Sequence, residues 1–164
     1  MTTVPLDVKQ HNRNSFDCGV EALNNYLKLT ANQQSNKDNS RTYILEDKED
    51  DNRIVGFYTL TMANIDLSLF PLKLQKKYQY NNSVALIARL AVDKKYMKNS
   101  IGSWLLVDAL TKLLNASNTV GFPLVVVDSK DGVSSFYEKY GFEKFEDKSN
   151  KLFISIADIR ASFK

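Results

Sequence analysis

Residues 86–110 read LIARLAVDKKYMKNSIGSWLLVDAL, and this stretch decides the fold. An apolar, β-branched run closes at Val92, a basic loop containing Lys94, Lys95 and Lys98 follows, and apolar residues at helical spacing resume at Ile101. Strand, loop and helix in that order bring the carboxyl end of a buried strand to a helix N-terminus. Free backbone N–H groups and the macrodipole, equivalent to about half a unit charge, favour an anion there. The glycine-rich fingerprint of many phosphate loops is missing, so these residues alone fit an ordinary connection as well as a phosphate cradle.

Working outward, the spacing predicts a helix over about 100–115 with Ile101, Trp104, Leu105, Ala109 and Leu113 toward the core, a strand over 122–128, and a helix over 132–140. Val133, Phe136, Tyr137 and Tyr140 share a stripe on that second helix, and Gly141 is suited to end it. This alternation is a βαβα unit. The segments GFEKFED and KLFISI read as two last strands before a short terminal helix. Upstream, VPLDVKQ alternates like a short strand. Residues 17–34 then place Val20, Leu23, Leu27 and Ala31 on one helical face, with Asp17 as N-cap. RTYILED and RIVGFYTLTMANI read as a hairpin across the turn KEDDN. Polar and charged residues 73–83 read as a connection. The expectation is one α/β (α+β) domain over residues 1–164, with a mixed central sheet of about six or seven strands flanked by helices.

Composition narrows the function classes. A chain of 164 residues is the size of one ordinary domain, and its net charge of +3 permits a polyanionic partner without requiring one. A single cysteine, Cys18, and a single histidine, His11, exclude a disulfide framework and a Cys/His zinc cage; both are assigned structural or surface roles, and no metal is expected. The N-terminal residues lack a signal pattern, and the longest apolar run, Val120 to Val127, is too short to span a bilayer. A cytoplasmic protein without membrane contact is expected. Arg41 and Arg89 either pair with carboxylates or join the lysines in a basic surface for RNA.

Three segments resemble the GNAT superfamily of N-acetyltransferases. ARLAVDKKYMKNSIGSWLL resembles its acetyl-CoA strand-loop-helix, VVVDS its following strand, and SSFYEKYGF its F-Y-x-x-x-G-F helix end, the most specific of the three. FDCGVEALNNYL, YILED and IVGFYTL further resemble the branch of bacterial toxin acetyltransferases that act on aminoacyl-tRNA, so the likeness covers nearly the whole chain. It implies a GNAT-like fold, acetyl-CoA as cosubstrate, and a primary amine as acceptor. The α-amine of aminoacyl-tRNA is the favoured acceptor, and a small-molecule or protein amine the alternative. Charged tRNA, an antitoxin protein and a second copy of the chain are the implied partners.

The resemblance also implies site residues. The backbone of Leu90, Ala91 and Val92, at a splay in the central strand, would bind the pantetheine and offer an N–H to the thioester oxygen. Met97, Lys98, Asn99, Ser100, Ile101, Gly102 and Ser103 would hold the pyrophosphate, and Tyr137 would be the acid at the leaving thiolate. The loop departs from the family pattern Q/R-x-x-G-x-G/A: Met97 stands at the Gln/Arg position, Lys98 at the glycine that often follows, and Ser100 at the first pattern glycine, leaving Gly102 alone. Backbone N–H groups make most of the anion contact, so the mechanism survives if Ser100 can adopt the required dihedrals. An eroded loop also keeps a non-catalytic acyl-CoA-binding domain as the competing class. No general base stands out: Glu138 should face away from Tyr137 and Asp93 should turn into the loop, while the α-amine of an aminoacyl ester needs little help.

Overall fold

The computed structural model describes residues 1–97, 99–129, 133–145 and 150–163. Strand β1 is only Val4–Pro5, shorter than expected because the chain turns at Asp7. The Asp7 carbonyl accepts the N–H groups of Gln10 and His11, and the Asp7 N–H donates to His11 Nδ1 at 2.9 Å. His11 is buried, and its other nitrogen lies 3.4 Å from Glu46. Cys18 is buried and free.

The helix expected over 17–34 is three consecutive pieces: α1 (Glu21–Asn25), a π-helical segment (Tyr26–Thr30) and α2 (Ala31–Asn36). Asp17 does not cap it. Val20 occupies the cap position without a side-chain bond, while Asp17 Oδ1 accepts from the Gly19 N–H at 2.8 Å and from Asn24 at 3.0 Å. Leu27 and Ala31 are buried as the periodicity predicts, and Val20 is exposed.

Strands β2 (Arg41–Asp47) and β3 (Arg53–Asn64) form the expected antiparallel hairpin, with a register shift at Leu45/Glu46. Asp51 and Asn52 have φ of 50° and 54°, and the Arg53 N–H closes the turn on the Asp50 carbonyl. Two successive left-handed residues match the twist of the flanking strands, and Asp and Asn tolerate that conformation best after glycine.

The stretch read as a connection contains a 3₁₀ turn (Leu67–Leu69) and a helix, α3 (Leu72–Lys77). Leu74 and Tyr78 pack inward beside Leu67 and Leu69; with six residues and a lysine-rich outer side, α3 is too short for its period to register in the sequence. Then follow β4 (Ser83–Val92), α4 (Ile101–Ser117), β5 (Leu124–Asp128), α5 (Ser134–Glu138), β6 (Glu143–Lys144), β7 (Lys151–Ser155) and α6 (Ile156–Ser162). Leu106 and Leu110 are buried along with Leu105, Ala109 and Leu113, so the apolar face of α4 is wider than expected. Helix α5 is shorter than expected, and Gly132 lies outside the described residues. Val133 is 43% exposed rather than core-facing, because it precedes the helix in a non-helical conformation. Gly141 ends the helical turn with φ of 91°. The strand expected over GFEKFED is reduced to β6, and residues 146 and 147 lie outside the described residues.

The sheet is mixed and seven-stranded, in the order β1-β2-β3-β4-β5-β7-β6. The chain forms two compact units, residues 1–61 with 88–109, and residues 62–87 with 110–164. The first unit centres on Phe16, Leu27, Ile44, Ile54 and Phe57, with Leu23 and Tyr26 packed against them. In it, Asp108 of α4 accepts hydrogen bonds of 2.6 Å from Thr3 and from Tyr58. The second unit centres on Phe70, Phe145 and Phe153, whose rings are 4.9 to 5.2 Å apart, with Val84, Leu124 and Val126. Among the described residues no helix is long and apolar enough to cross a membrane.

Candidate active site

Strand β4 pairs in parallel with β5 from Ala85↔Val125 to Ile87↔Val127. It continues to Val92, five residues past the last of those pairs. Leu90, Ala91 and Val92 therefore lie in the portion of β4 beyond that ladder. Asp93 follows and is 1% exposed. Its carboxylate accepts from the N–H of Asp17 at 3.0 Å, the N–H of Lys95 at 2.9 Å and the Arg53 guanidinium at 3.2 Å. A buried carboxylate is tolerated when it is paired and bonded in this way. Asp93 does turn into the loop, where it anchors the loop rather than offering itself as a base.

The lysines beside the loop are less available than the sequence implies. Lys94 Nζ lies 3.3 Å from Asp17, Lys95 Nζ lies 2.7 Å from Asp50, and the Tyr96 hydroxyl donates to Asp47 at 2.9 Å. The backbone N–H of Gly19 and then the Asn24 and Lys94 side chains hold the Asp17 carboxyl down at about 2. Burial, then the bond to Asp47, pushes the Tyr96 phenol up to about 12. Lys98 lies outside the described residues.

Met97 is half exposed and helical in its dihedrals, and the Asn99 N–H donates to the Tyr96 carbonyl at 3.3 Å. Ser100 has φ of 58°. It stands at the first glycine position of the pattern and takes the left-handed conformation for which glycine is the usual residue. Its carbonyl accepts the Trp104 N–H at 3.1 Å, the first intrahelical bond of α4. Ile101, Gly102 and Ser103 thus form a first turn whose N–H groups precede the ladder. That turn has no acidic residue to neutralise the positive end of a 17-residue helix. Ile101 is buried, and Gly102 and Ser103 are half-buried.

Tyr137 is buried on α5, with its ring 5.1 Å from Phe136 and 5.6 Å from Phe142. Loss of water pushes its phenol up to about 12. None of the described residues hydrogen-bonds its hydroxyl. Glu138 is exposed and lies 3.6 Å from Lys144, so it does face away.

One feature was not legible in the sequence. A cavity of about 540 Å³ is lined by residues including Tyr26, Leu29, Thr59, Thr61 and Arg89. The Arg89 guanidinium sits 4.6 Å above the Tyr26 ring, within cation–π range, and donates to the Ala88 carbonyl at 2.8 Å. Arg41 pairs with a carboxylate, Asp38, at 2.6 Å. Tyr26 begins the π-helical segment, a form that recurs at functional sites, but nothing in the apolar spacing of residues 17–34 announces it.

Known proteins resemble this chain in sequence and in fold. The family model for the GNAT acetyltransferase domain matches residues 38–144. A tRNA-acetylating toxin of Mycobacterium tuberculosis is 29% identical over 148 residues, covering 90% of this chain and 87% of the toxin. The structure is similar to that of AtaT complexed with acetyl-methionyl-tRNAfMet, with a TM-score of 0.89, 26% identity and 99% of each chain covered. It is also similar to AtaTR bound with acetyl-CoA, with a TM-score of 0.84, 26% identity, and 99% and 98% of the two chains covered. The family model spans well over half of the chain, from ahead of β2 through β6 and including the central strand β4 and the acid-free start of α4, so the chain belongs to the GNAT acetyltransferases.

Proposed function

We propose that the chain transfers the acetyl group of acetyl-CoA to the α-amine of an aminoacyl-tRNA. The observation that carries this is the first turn of α4. Its N–H groups are unopposed by acid, and Ser100 takes the left-handed φ of 58° for which glycine is the usual residue. The N–H groups of Ile101, Gly102 and Ser103 would hold the pyrophosphate, and the backbone of Leu90 to Val92 the pantetheine; when bound, acetyl-CoA supplies the activated acyl group. The tRNA acceptor rests on the relatives, one of them a tRNA-acetylating toxin and one solved with an acetylated charged tRNA. Such an acceptor requires a cytoplasmic site of action, and kinship to a toxin makes an antitoxin protein the expected partner.

As the amine attacks the thioester carbon, the C–N bond forms, the C–S bond breaks, and the sulfur leaves as a thiolate. Tyr137 donates a hydrogen bond to that sulfur. Full transfer from a phenol near 12 to a thiolate whose acid is near 8.5 is uphill by roughly 5 kcal/mol. Tyr137 therefore acts as a neutral donor, and the proton that ends on sulfur is the one the attacking amine must lose.

The test is incubation of the purified chain with acetyl-CoA and charged tRNA, followed by mass spectrometry of the released amino acid. An N-acetylated amino acid is expected. Acetylation of a polyamine or peptide but never of charged tRNA would overturn the acceptor. Binding of acetyl-CoA with no acceptor turned over would make the chain a binding module.

A further inference from the structure

From Ile54 to Ile87 the chain contains a single carboxylate, Asp66, and three lysines, Lys73, Lys76 and Lys77. Asp66 is committed to its own turn, accepting from the Ser68 N–H at 3.0 Å and the Ser68 hydroxyl at 2.7 Å. The three lysines are exposed on α3 at i, i+3 and i+4, where neighbouring side chains stand about 5–6 Å apart. Their direction is set by the opposite side of the helix, because Leu74 and Tyr78 pack into the cluster around Phe70. Among the described residues no carboxylate pairs with any of the three. Lys94, Lys95 and Lys144 each have one. Two residues beyond Tyr78, Tyr80 is 93% exposed.

Lysine is depleted from the cores of protein–protein interfaces. Lysines with no carboxylate partner among the described residues, one of them 5.4 Å over the Tyr78 ring, followed two residues later by an exposed aromatic ring, match a phosphate backbone with a base face to stack on. We infer that Lys73, Lys76, Lys77 and Tyr80 form a surface that holds the RNA body of the acceptor by its phosphates. The inference rests on the reading of charged tRNA as acceptor. Such contacts carry no sequence information, so this surface adds affinity for every tRNA alike and leaves the choice of amino acid to the aminoacyl end.

The experiment compares the wild-type chain with K73E/K76E/K77E and with the milder K73Q/K76Q/K77Q. Binding of uncharged tRNA is measured across a salt series, which separates this inference from the catalytic reading. The expected result is tRNA affinity reduced on the order of tenfold or more, with the slope of log affinity against log salt smaller by about 2–3 in the glutamine variant, as for three lost phosphate contacts. Acetyl-CoA affinity and melting temperature should stay at wild-type values, and KM for charged tRNA should rise with little change in kcat. Unchanged tRNA affinity and salt slope in both folded variants would overturn the inference. Retained tRNA binding with loss of an acidic antitoxin would reassign the surface to a protein. If the wild-type chain bound tRNA through these lysines but acetylated none, the surface would stand and the acceptor reading would fall.

Discussion

Replacing Gly56 by alanine tests how tightly the end of β4 is fixed. A Cβ at residue 56 would stand 2.7 Å from Leu105 Cδ1 and 2.9 Å from the Ala91 carbonyl oxygen, both well short of ordinary contact, which begins at 3.4 Å. The leucine methyl can swing aside. The carbonyl cannot, because it belongs to the strand, so β3 and β4 must separate locally. Overpacking of this kind costs about 1–3 kcal/mol, and for a chain of this size about 2 kcal/mol lowers Tm by roughly 4–8 °C. Ala91 also lies in the segment assigned to the pantetheine, so acetyl-CoA affinity should fall together with stability. Urea denaturation gives the change in stability and calorimetry the change in acetyl-CoA affinity. Adding Leu105→Ala should make the pair less destabilising than the sum of the single changes, because it removes the methyl clash while leaving the carbonyl one. A Gly56→Ala protein within about 0.5 kcal/mol of wild type, with unaltered acetyl-CoA affinity, would refute the reasoning.

Tyr137→Phe should leave acetyl-CoA affinity near wild type and lower turnover on the order of 10²-fold; near-normal turnover would remove Tyr137 from the mechanism. Because burial raises the Tyr137 phenol from 10.0 to about 12, the folded state holds this proton longer than the unfolded chain. Its stabilising contribution is complete below pH 10 and is lost as pH rises from 10 to 12. Alkaline denaturation should therefore be shallower in Tyr137→Phe by up to about 1.4 kcal/mol per pH unit in that window, and identical slopes would contradict the burial argument. Ser100→Gly removes roughly 1–2 kcal/mol of left-handed strain but adds unfolded-state entropy, so stability should rise by no more than about 1 kcal/mol. Its acetyl-CoA affinity should change by less than about tenfold, since the next three N–H groups are unaltered; a larger gain would mean that the natural loop is partly disabled. Gly102→Glu puts bulk and negative charge into the first turn of α4 and should abolish acetyl-CoA binding, whereas unchanged affinity by calorimetry would make the loop an incidental connection.

The elements carrying the catalytic reading announce themselves in the sequence because burial on one face writes its own period. β4, α4 and β5 were placed within a few residues by apolar spacing alone, and FYEKYGF located Tyr137 beside the glycine that ends its helix. Helix α3 escaped because six residues do not complete a recognisable repeat. The π-helical segment escaped because the buried residue inside it, Leu27, and the one just after it, Ala31, keep helical spacing. What only the tertiary structure decided is which charges meet. Asp93 reaches Asp17 and Arg53 across 76 and 40 positions of sequence. Lys94 and Lys95 are neutralised by Asp17 and Asp50, while among the described residues no carboxylate pairs with the equally ordinary lysines of α3. Periodicity and turn chemistry act within a few residues and can be read in a short window. Ion pairs, cavities and the freedom of a surface cation depend on distances that exist only once the chain has closed on itself.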